Sequence, residues 1–332
     1  MSVVRVVYFG TPEYAVPALR ALCNDARFDV VLVVTQPDRK AGRGHKLVAP
    51  AVKTAALELG RTVYQPESLR TPDLRQPLMD ADADLFVVAA YGLIFGEKAL
   101  AIPRHGAVNL HASMLPTYRG ANPIAAAIAS GDAASGVSLM KMERGLDSGP
   151  VIASKSIAIS PDDTTATLTA SLADLGANLL IERIGEYLDG SLEPVPQPAT
   201  GVTFARPMQK SDGEIDWNQP ARLVDCHIRA MWPWPRAWAL LGDTPIQIHS
   251  ARPANDMAGG EPGTIRVDRE VSVDCADGSI VLETIQIPGK PAMDAPSVAR
   301  GGAIQDGSVF KSATADRKPL VMTINDDSAT SV

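Results

Sequence analysis

Asn109-Leu110-His111 closes a short apolar run, Ala107 to Leu110, and opens a loop with Ala112-Ser113-Met114-Leu115-Pro116-Thr117-Tyr118-Arg119-Gly120. Residues two apart on an extended chain point to the same side. An amide donor and an imidazole therefore converge on one spot. That pairing suits a reaction that builds negative charge on a carbonyl oxygen. Pro116 and Arg119-Gly120 interrupt regular structure, and such loops commonly carry functional groups on a rigid scaffold. Further on, Gly145 and Gly149 flank Asp147 just past another apolar run. Asp147 is expected near His111 if the two strand ends are neighbours. A carboxylate bonded to an imidazole fixes its tautomer and favours its charged form. The plainer readings are that Asp147 caps a turn and that Asn109 ends a strand by bonding its own backbone. Ser113 has no Gly-x-Ser-x-Gly setting, so it reads as a positioning residue. His45, His105, His227 and His249 lack such company and read as structural.

These residues need a scaffold, and the first half supplies one. Val3 to Phe9, Val30 to Val34, Leu85 to Ala90, Ala107 to Leu110, Val137 to Met142 and Val151 to Ile159 are apolar or β-branched runs that predict strands. Glu13 to Leu22, Ala49 to Leu59, Pro123 to Ala129 and Thr164 to Leu188 predict helices. Strands alternating with helices imply an α/β domain with a mostly parallel sheet. In such sheets ligands sit at the carboxyl ends of strands, which is where Asn109 and His111 stand. Phe9-Gly10-Thr11-Pro12 lacks the three-glycine spacing of a dinucleotide loop, which excludes nicotinamide binding.

The texture changes at residues 191–207, where Pro194, Pro196, Pro198, Gly201 and Pro207 predict a stiff linker. The boundaries expected are a catalytic domain over 1–190, a second domain over 208–324 and a disordered tail over 325–332. The second domain has one helix, Leu223 to Met231, and short strand-like runs separated by Gly and Pro. They predict a small barrel or sandwich. The 332 residues suit two domains. No run of about 18 apolar residues is present, so no membrane span is expected. The N-terminus lacks the pattern of a signal peptide. Cys23, Cys226 and Cys275 are odd in number and far apart, which fits reduced thiols in the cytoplasm and no zinc site.

The pattern Asn-x-His, Ser, Leu-Pro and Arg-Gly, followed by Gly-Leu-Asp-x-Gly at 145–149, resembles the folate-dependent formyltransferase family. Within it, the chain is similar to the branch that formylates charged initiator tRNA. The likeness lies in Phe9-Gly10-Thr11-Pro12-Glu13, Thr35-Gln36-Pro37-Asp38-Arg39 with Ala41-Gly42-Arg43-Gly44, Gly120-Ala121-Asn122-Pro123-Ile124, Lys210 to Trp217, Arg229 to Pro235 and Gln286 to Lys290. It covers about residues 3 to 322. Tyr118 departs from the ring common in that branch, and Pro291 stands where a second basic residue is common. The second departure weakens an expected tRNA contact.

The resemblance implies a Rossmann-like catalytic domain joined to a smaller β-barrel of the oligonucleotide-binding (OB-like) type. It implies that Asn109, His111 and Asp147 are the catalytic trio and that the formyl donor is 10-formyltetrahydrofolate, with no metal. The acceptor implied is the α-amino group of methionyl-initiator tRNA, and the product N-formylmethionyl-tRNA for translation initiation. A flat pterin ring is expected at the apolar strand end and turn, at Ala89, Tyr91, Gly92, Leu93 and Ile94 with Ser113, Leu115 and Pro116. A soluble cytoplasmic monomer is expected.

Charge sets a tension with that reading. The net charge is -7, and generic nucleic-acid binders are usually basic. Contacts to tRNA must then come from local patches. Residues 38–53 hold Arg39, Lys40, Arg43, Lys46 and Lys53 against Asp38 alone, and Gly42 and Gly44 predict a flexible segment. From Arg206 onward 17 acidic residues outnumber 13 basic ones, so the barrel needs a clustered basic face. Its candidates are Lys210 and Lys290, with Arg206, Arg229 and Arg236. Trp232, Trp234 and Trp238 either stack on bases or pack between domains. The competing functions are a folate hydrolase or a glycinamide ribonucleotide enzyme with the same trio, a non-catalytic tRNA binder and an inert folate store.

Overall fold

A computed structural model describes residues 3–41, 46–254, 260–312 and 318–323. The chain packs as two units. The first comprises Met1–Arg119, Ser135–Ile157 and Thr169–Thr203, and the second Gly120–Ala134, Ala158–Leu168 and Phe204–Val332.

The first unit is built on a seven-stranded sheet. Its strands are β1 (Val4–Gly10), β2 (Phe28–Val34), β3 (Val63–Tyr64), β4 (Leu85–Ala89), β5 (Ala107–His111), β6 (Ala134–Lys141) and β7 (Val151–Ala158). Their order is β7-β6-β5-β4-β1-β2-β3. The pairs β1–β2, β1–β4, β2–β3 and β4–β5 are parallel, while β5–β6 is antiparallel. Every residue of β4 is buried, as the continuous apolar run of a central parallel strand requires. Helices α1 (Val16–Asn24), α2 (Ala51–Glu58) and α3 (Pro72–Asp80) belong to this unit. One core cluster gathers Val7, Phe9, Val34, Leu78, Phe86, Val88 and Tyr91. Phe9 lies 5.0 Å from Phe86 and 5.3 Å from Tyr91 in tilted and edge-on contacts, the geometry aromatic quadrupoles favour. The chain runs from β1 to one side of the sheet and returns through β4 to the other. The strand order therefore reverses between β1 and β4, and the crevice at their carboxyl ends is where such sheets hold ligands.

Among the elements of this unit that the sequence does not reveal are α3 and β3. In α3, Pro72 sits in the first turn and Pro77 inside the helix, so a pattern search sees two breakers. β3 has two residues, too few for periodicity.

The second unit contains a seven-stranded antiparallel sheet. Its strands are β8 (Ala237–Leu241), β9 (Thr244–Pro253), β10 (Ile265–Val267), β11 (Val271–Asp274), β12 (Ser279–Gln286), β13 (Met293–Asp294) and β14 (Phe310–Lys311). The order is β10-β11-β12-β9-β8-β14, with β13 on β12. The outer strands approach each other: Thr264 bridges Val309, and the Ile265 and Phe310 amides donate to Ser308 and Gly263 oxygens at 2.8 and 2.9 Å. The sheet thus nearly closes into a barrel, which shields its outer edges. Gly263 permits the closure. Its φ is +92°, and a Cβ there would meet the Phe310 carbonyl oxygen at 2.4 Å. Inside, the Trp217 ring stacks on Phe310 at 5.6 Å. Helix α4 (Pro123–Ala129) buries five of its seven residues and packs against the helix Ala221–Ala230. That contact places residues 120–134 in this unit although they precede the proline-rich stretch.

Among the described residues no helix is long and apolar enough to cross a membrane. The tail at 325–332 lies outside them.

Candidate active site

Asn109 and His111 stand on β5 with one residue between them. Parallel pairing sets Asn109 beside Val88 of β4, and antiparallel pairing sets His111 beside Ser138 of β6. Asn109 is half-buried and His111 is 6% exposed. Among the described residues the Asn109 amide has no protein partner, so its donors remain available to a ligand. His111 Nε2 lies 2.9 Å from the Tyr118 carbonyl oxygen. A carbonyl only accepts, so the neutral ring carries its proton on Nε2 and leaves Nδ1 a lone pair. Nδ1 faces Asp147 Oδ2 at 3.5 Å.

The trio therefore assembles, but by a different route from the one expected. Because β6 runs antiparallel to β5, Lys141 at its end sits beside Val108, at the far end of β5 from His111. The two strand ends are not neighbours. The loop 142–150 doubles back and carries Asp147 to the imidazole. Its glycines are required. Gly145 has φ +118°, and a Cβ on Gly149 would stand 2.0 Å from the Lys141 carbonyl oxygen. Asp147 itself adopts a left-handed φ of 46°, a conformation Asp tolerates better than most residues.

Three groups that the sequence reading missed hold this geometry. The Ser138 hydroxyl donates to the Ser113 carbonyl at 2.8 Å and accepts from the Leu115 amide at 3.1 Å. It pins the loop beside His111. The Tyr118 amide donates to Thr203 Oγ1 at 2.8 Å, which fixes the carbonyl that receives Nε2. Gln197 bonds both Arg119 and the Asp147 loop. Arg119 is held below its ordinary basicity by burial, which the Asp147 charge partly offsets. Ser138 has a signal in principle, since it alternates with apolar neighbours opposite His111. Gln197 has none, because it sits in a stretch that reads only as linker.

The residues expected to hold folate divide. Ala89 and Tyr91 are buried, Gly92 and Ile94 are exposed, and Leu93 is half-buried. The Tyr91 carbonyl already accepts from Thr11 Oγ1 at 3.0 Å and Gln36 Nε2 at 2.9 Å. Ala89 and Tyr91 are thus taken up in the core, and Ile94, 75% exposed, presents apolar surface to solvent. Ser113 is buried and its hydroxyl donates to the Thr117 carbonyl at 2.6 Å. It supports the loop that carries the half-buried Leu115 and Pro116.

The basic residues divide as well. Arg39–Ala41 and Lys46–Val48 pair as two short antiparallel strands; Gly42 and Gly44, on which the expected flexibility rests, lie outside the described residues. Arg39 and Lys40 are exposed on the first strand, beside exposed Leu47 and Val48. Lys46 opens the second strand. Arg43 lies outside the described residues. Lys53 is engaged by Asp38 at 2.7 Å, so the acid expected to leave the segment basic neutralises one of its cations. Lys210 and Lys290 are exposed. Arg206 and Arg229 are internal instead: Arg206 forms a two-pronged pair with Asp212, 2.7 Å at each prong, and Arg229 bonds Asp225 and the Asp163 carbonyl at 2.8 Å each. Arg236 lies over the Trp232 ring, 5.3 Å from its centroid.

Comparison with known proteins adds to this geometry. The profile of the formyl transferase family matches residues 4–184, and that of the formyl transferase C-terminal domain matches residues 207–303. A methionyl-tRNA formyltransferase of Myxococcus xanthus is 44% identical over 310 residues, covering 93% of this chain and 98% of that protein. One of Roseobacter denitrificans is 43% identical over 307 residues, covering 92% and 99%. Among solved structures, the sugar 3N-formyl transferase WlaRD, determined with dTDP and 5-N-formyl-THF, superposes with a TM-score of 0.63 at 16% identity, covering 88% of this chain and all of that one. An N-formyltransferase of Helicobacter canadensis, bound to folinic acid and dTDP-3-aminofucose, has a TM-score of 0.63 at 17% identity, covering 84% and 98%.

Proposed function

The chain belongs to the formyl transferase family, and from that membership we propose that it moves the formyl group of 10-formyltetrahydrofolate to the α-amino group of methionyl-initiator tRNA. The product is N-formylmethionyl-tRNA, the species that starts translation. The observation that carries the reading is the full-length likeness to methionyl-tRNA formyltransferases, in both units. The trio at the end of β5 and the loop 142–150 supports the same chemistry.

In the proposed reaction the substrate amine attacks the formyl carbon and a tetrahedral oxyanion forms. Asn109 donates a hydrogen bond to that oxygen, the role in which a preorganised amide is most effective. His111, with Nε2 held by Tyr118, takes the proton of the attacking amine on Nδ1. Asp147 faces the resulting imidazolium across 3.5 Å. As the intermediate collapses, the same proton passes to the departing folate nitrogen. Bound folate supplies the activated formyl group. The residues present fit it: exposed Ile94 and half-buried Leu93 offer apolar surface just beyond the strand whose Val88 pairs with Asn109. Arg39, Lys40, Arg43, Lys46, Lys210 and Lys290 are the proposed tRNA contacts, with residues 1–190 as the catalytic domain and 208–324 as the tRNA-binding barrel. The protein is proposed to act as a monomer.

The test incubates the purified protein with 10-formyltetrahydrofolate and either initiator or elongator methionyl-tRNA, with a no-tRNA control. Formyl-methionine on the initiator species alone is expected. Release of formate with no formylated tRNA would overturn the proposal in favour of hydrolysis.

A further inference from the structure

Gln197 lies in the proline-rich stretch, yet all four of its side-chain hydrogen-bonding positions are used. Oε1 accepts from Arg119 Nε at 3.1 Å and Nη2 at 2.7 Å. Nε2 donates to the Asp147 carbonyl at 2.8 Å and the Gly149 carbonyl at 2.7 Å. A carboxamide has two N–H donors and two lone pairs, so this side chain is saturated. Its orientation is also forced. Turning the amide over would set N–H groups against a guanidinium and an oxygen against two carbonyls.

The partners are what give this saturation meaning. Asp147 and Gly149 belong to the doubled-back loop that delivers the carboxylate to His111 Nδ1. Asp147 holds a left-handed φ of 46°, a conformation that a short loop keeps only when its surroundings impose it. Gln197 grips the Asp147 carbonyl, one peptide plane from the strained torsion. It also draws in Arg119, the arginine that closes the loop begun by His111. One amide therefore ties the two loops of the trio together.

We propose that Gln197 is a positioning residue of formyl transfer, its amide locking the Asp147 loop to the Arg119 loop so that the Asp147 carboxylate stays on His111. This rests on the reading of Asn109, His111 and Asp147 as the reacting trio, and it acts through Asp147, not on substrate.

The experiment is a mutant cycle in the full-length protein, with kcat and KM for tRNA formylation and thermal melting as readouts. Gln197→Ala is expected to lower kcat roughly 10- to 100-fold with both KM values within about twofold and the melting temperature little changed. Gln197→Glu keeps the size and the acceptor for Arg119 but loses both donors, and it is expected to be no better than Gln197→Ala. In an Asp147→Ala background, Gln197→Ala is expected to add less than about twofold, since residues acting as one unit are not additive. Near-normal kcat in Gln197→Glu, or a full additive loss in the Asp147→Ala background, would overturn the proposal. Near-normal kcat in Asp147→Ala alone would instead overturn the trio on which it rests.

Discussion

The candidate site of the first unit and the ion pairs of the second treat their polar groups differently. Near the end of β5, His111, Asn109 and Asp147 come from two separate segments and face a common space, with the Asn109 amide left open. In the barrel unit, charged side chains close on one another: Arg206 on Asp212, Arg229 on Asp225, Arg266 on Asp274. A closed pair has its charge satisfied and contributes fold stability or specificity. An open donor in a crevice has its partner still to come. The contrast supports the proposal that the chemistry lies in the first unit and that these pairs of the second belong to the scaffold.

That contrast is broken most severely by Asp212→Ala. Asp212 is almost fully buried and Arg206 nearly so. Leaving that guanidinium unpaired is expected to cost about 3–5 kcal/mol, read as a lowered denaturation midpoint, with turnover per folded molecule kept. A large loss of turnover at full folding would make the pair part of the site. Next come Asn109→Ala and His111→Ala, each expected to cut kcat about 100- to 1,000-fold while melting temperature holds. Near-normal turnover in either would remove the open-donor argument. Smaller is the effect of Arg39→Ala and Lys40→Ala, which should raise KM for tRNA, spare KM for folate and reduce the salt slope of binding by roughly one each. Unchanged salt dependence would leave the strand pair outside the interface.

The smallest effect concerns His249 in the barrel. Burial, aided by the Arg236 charge, holds its basicity below the ordinary histidine range. As pH falls through about 6.5, the unfolded chain takes up a proton that the folded ring resists, so stability drops with acidification. Melting temperatures between pH 7.5 and 5.5 should fall less steeply in His249→Gln. Equal slopes would exclude the ring as a contributor.

Much of the scaffold is legible because it rests on local patterning. The first five residues of the run at Leu85 to Ala90 become the fully buried β4, and the short helix expected over Pro123–Ala129 forms. Helix α3 hides because Pro77 sits inside it and surrounding packing outweighs its propensity. The roles of arginines hide for a similar reason. Arg206 and Arg39 look alike in a charge count, and only their partners separate a buried pair from an exposed cation.

The sequence by itself determined that Asn109 and His111 share a face, since Asn-x-His on an extended chain sets two side chains to one side whatever the rest of the fold does. It also placed two glycines around Asp147, and only the structure shows why the loop needs them. Only the tertiary structure decided how Asp147 reaches His111, because strand direction is a non-local choice and the antiparallel β6 sends the chain away before the loop returns it. It alone brought Gln197, fifty residues beyond Asp147, onto the same loop. A side chain's hydrogen-bond partners are set by what packing places within about 3 Å of it, and one-dimensional spacing carries no record of that.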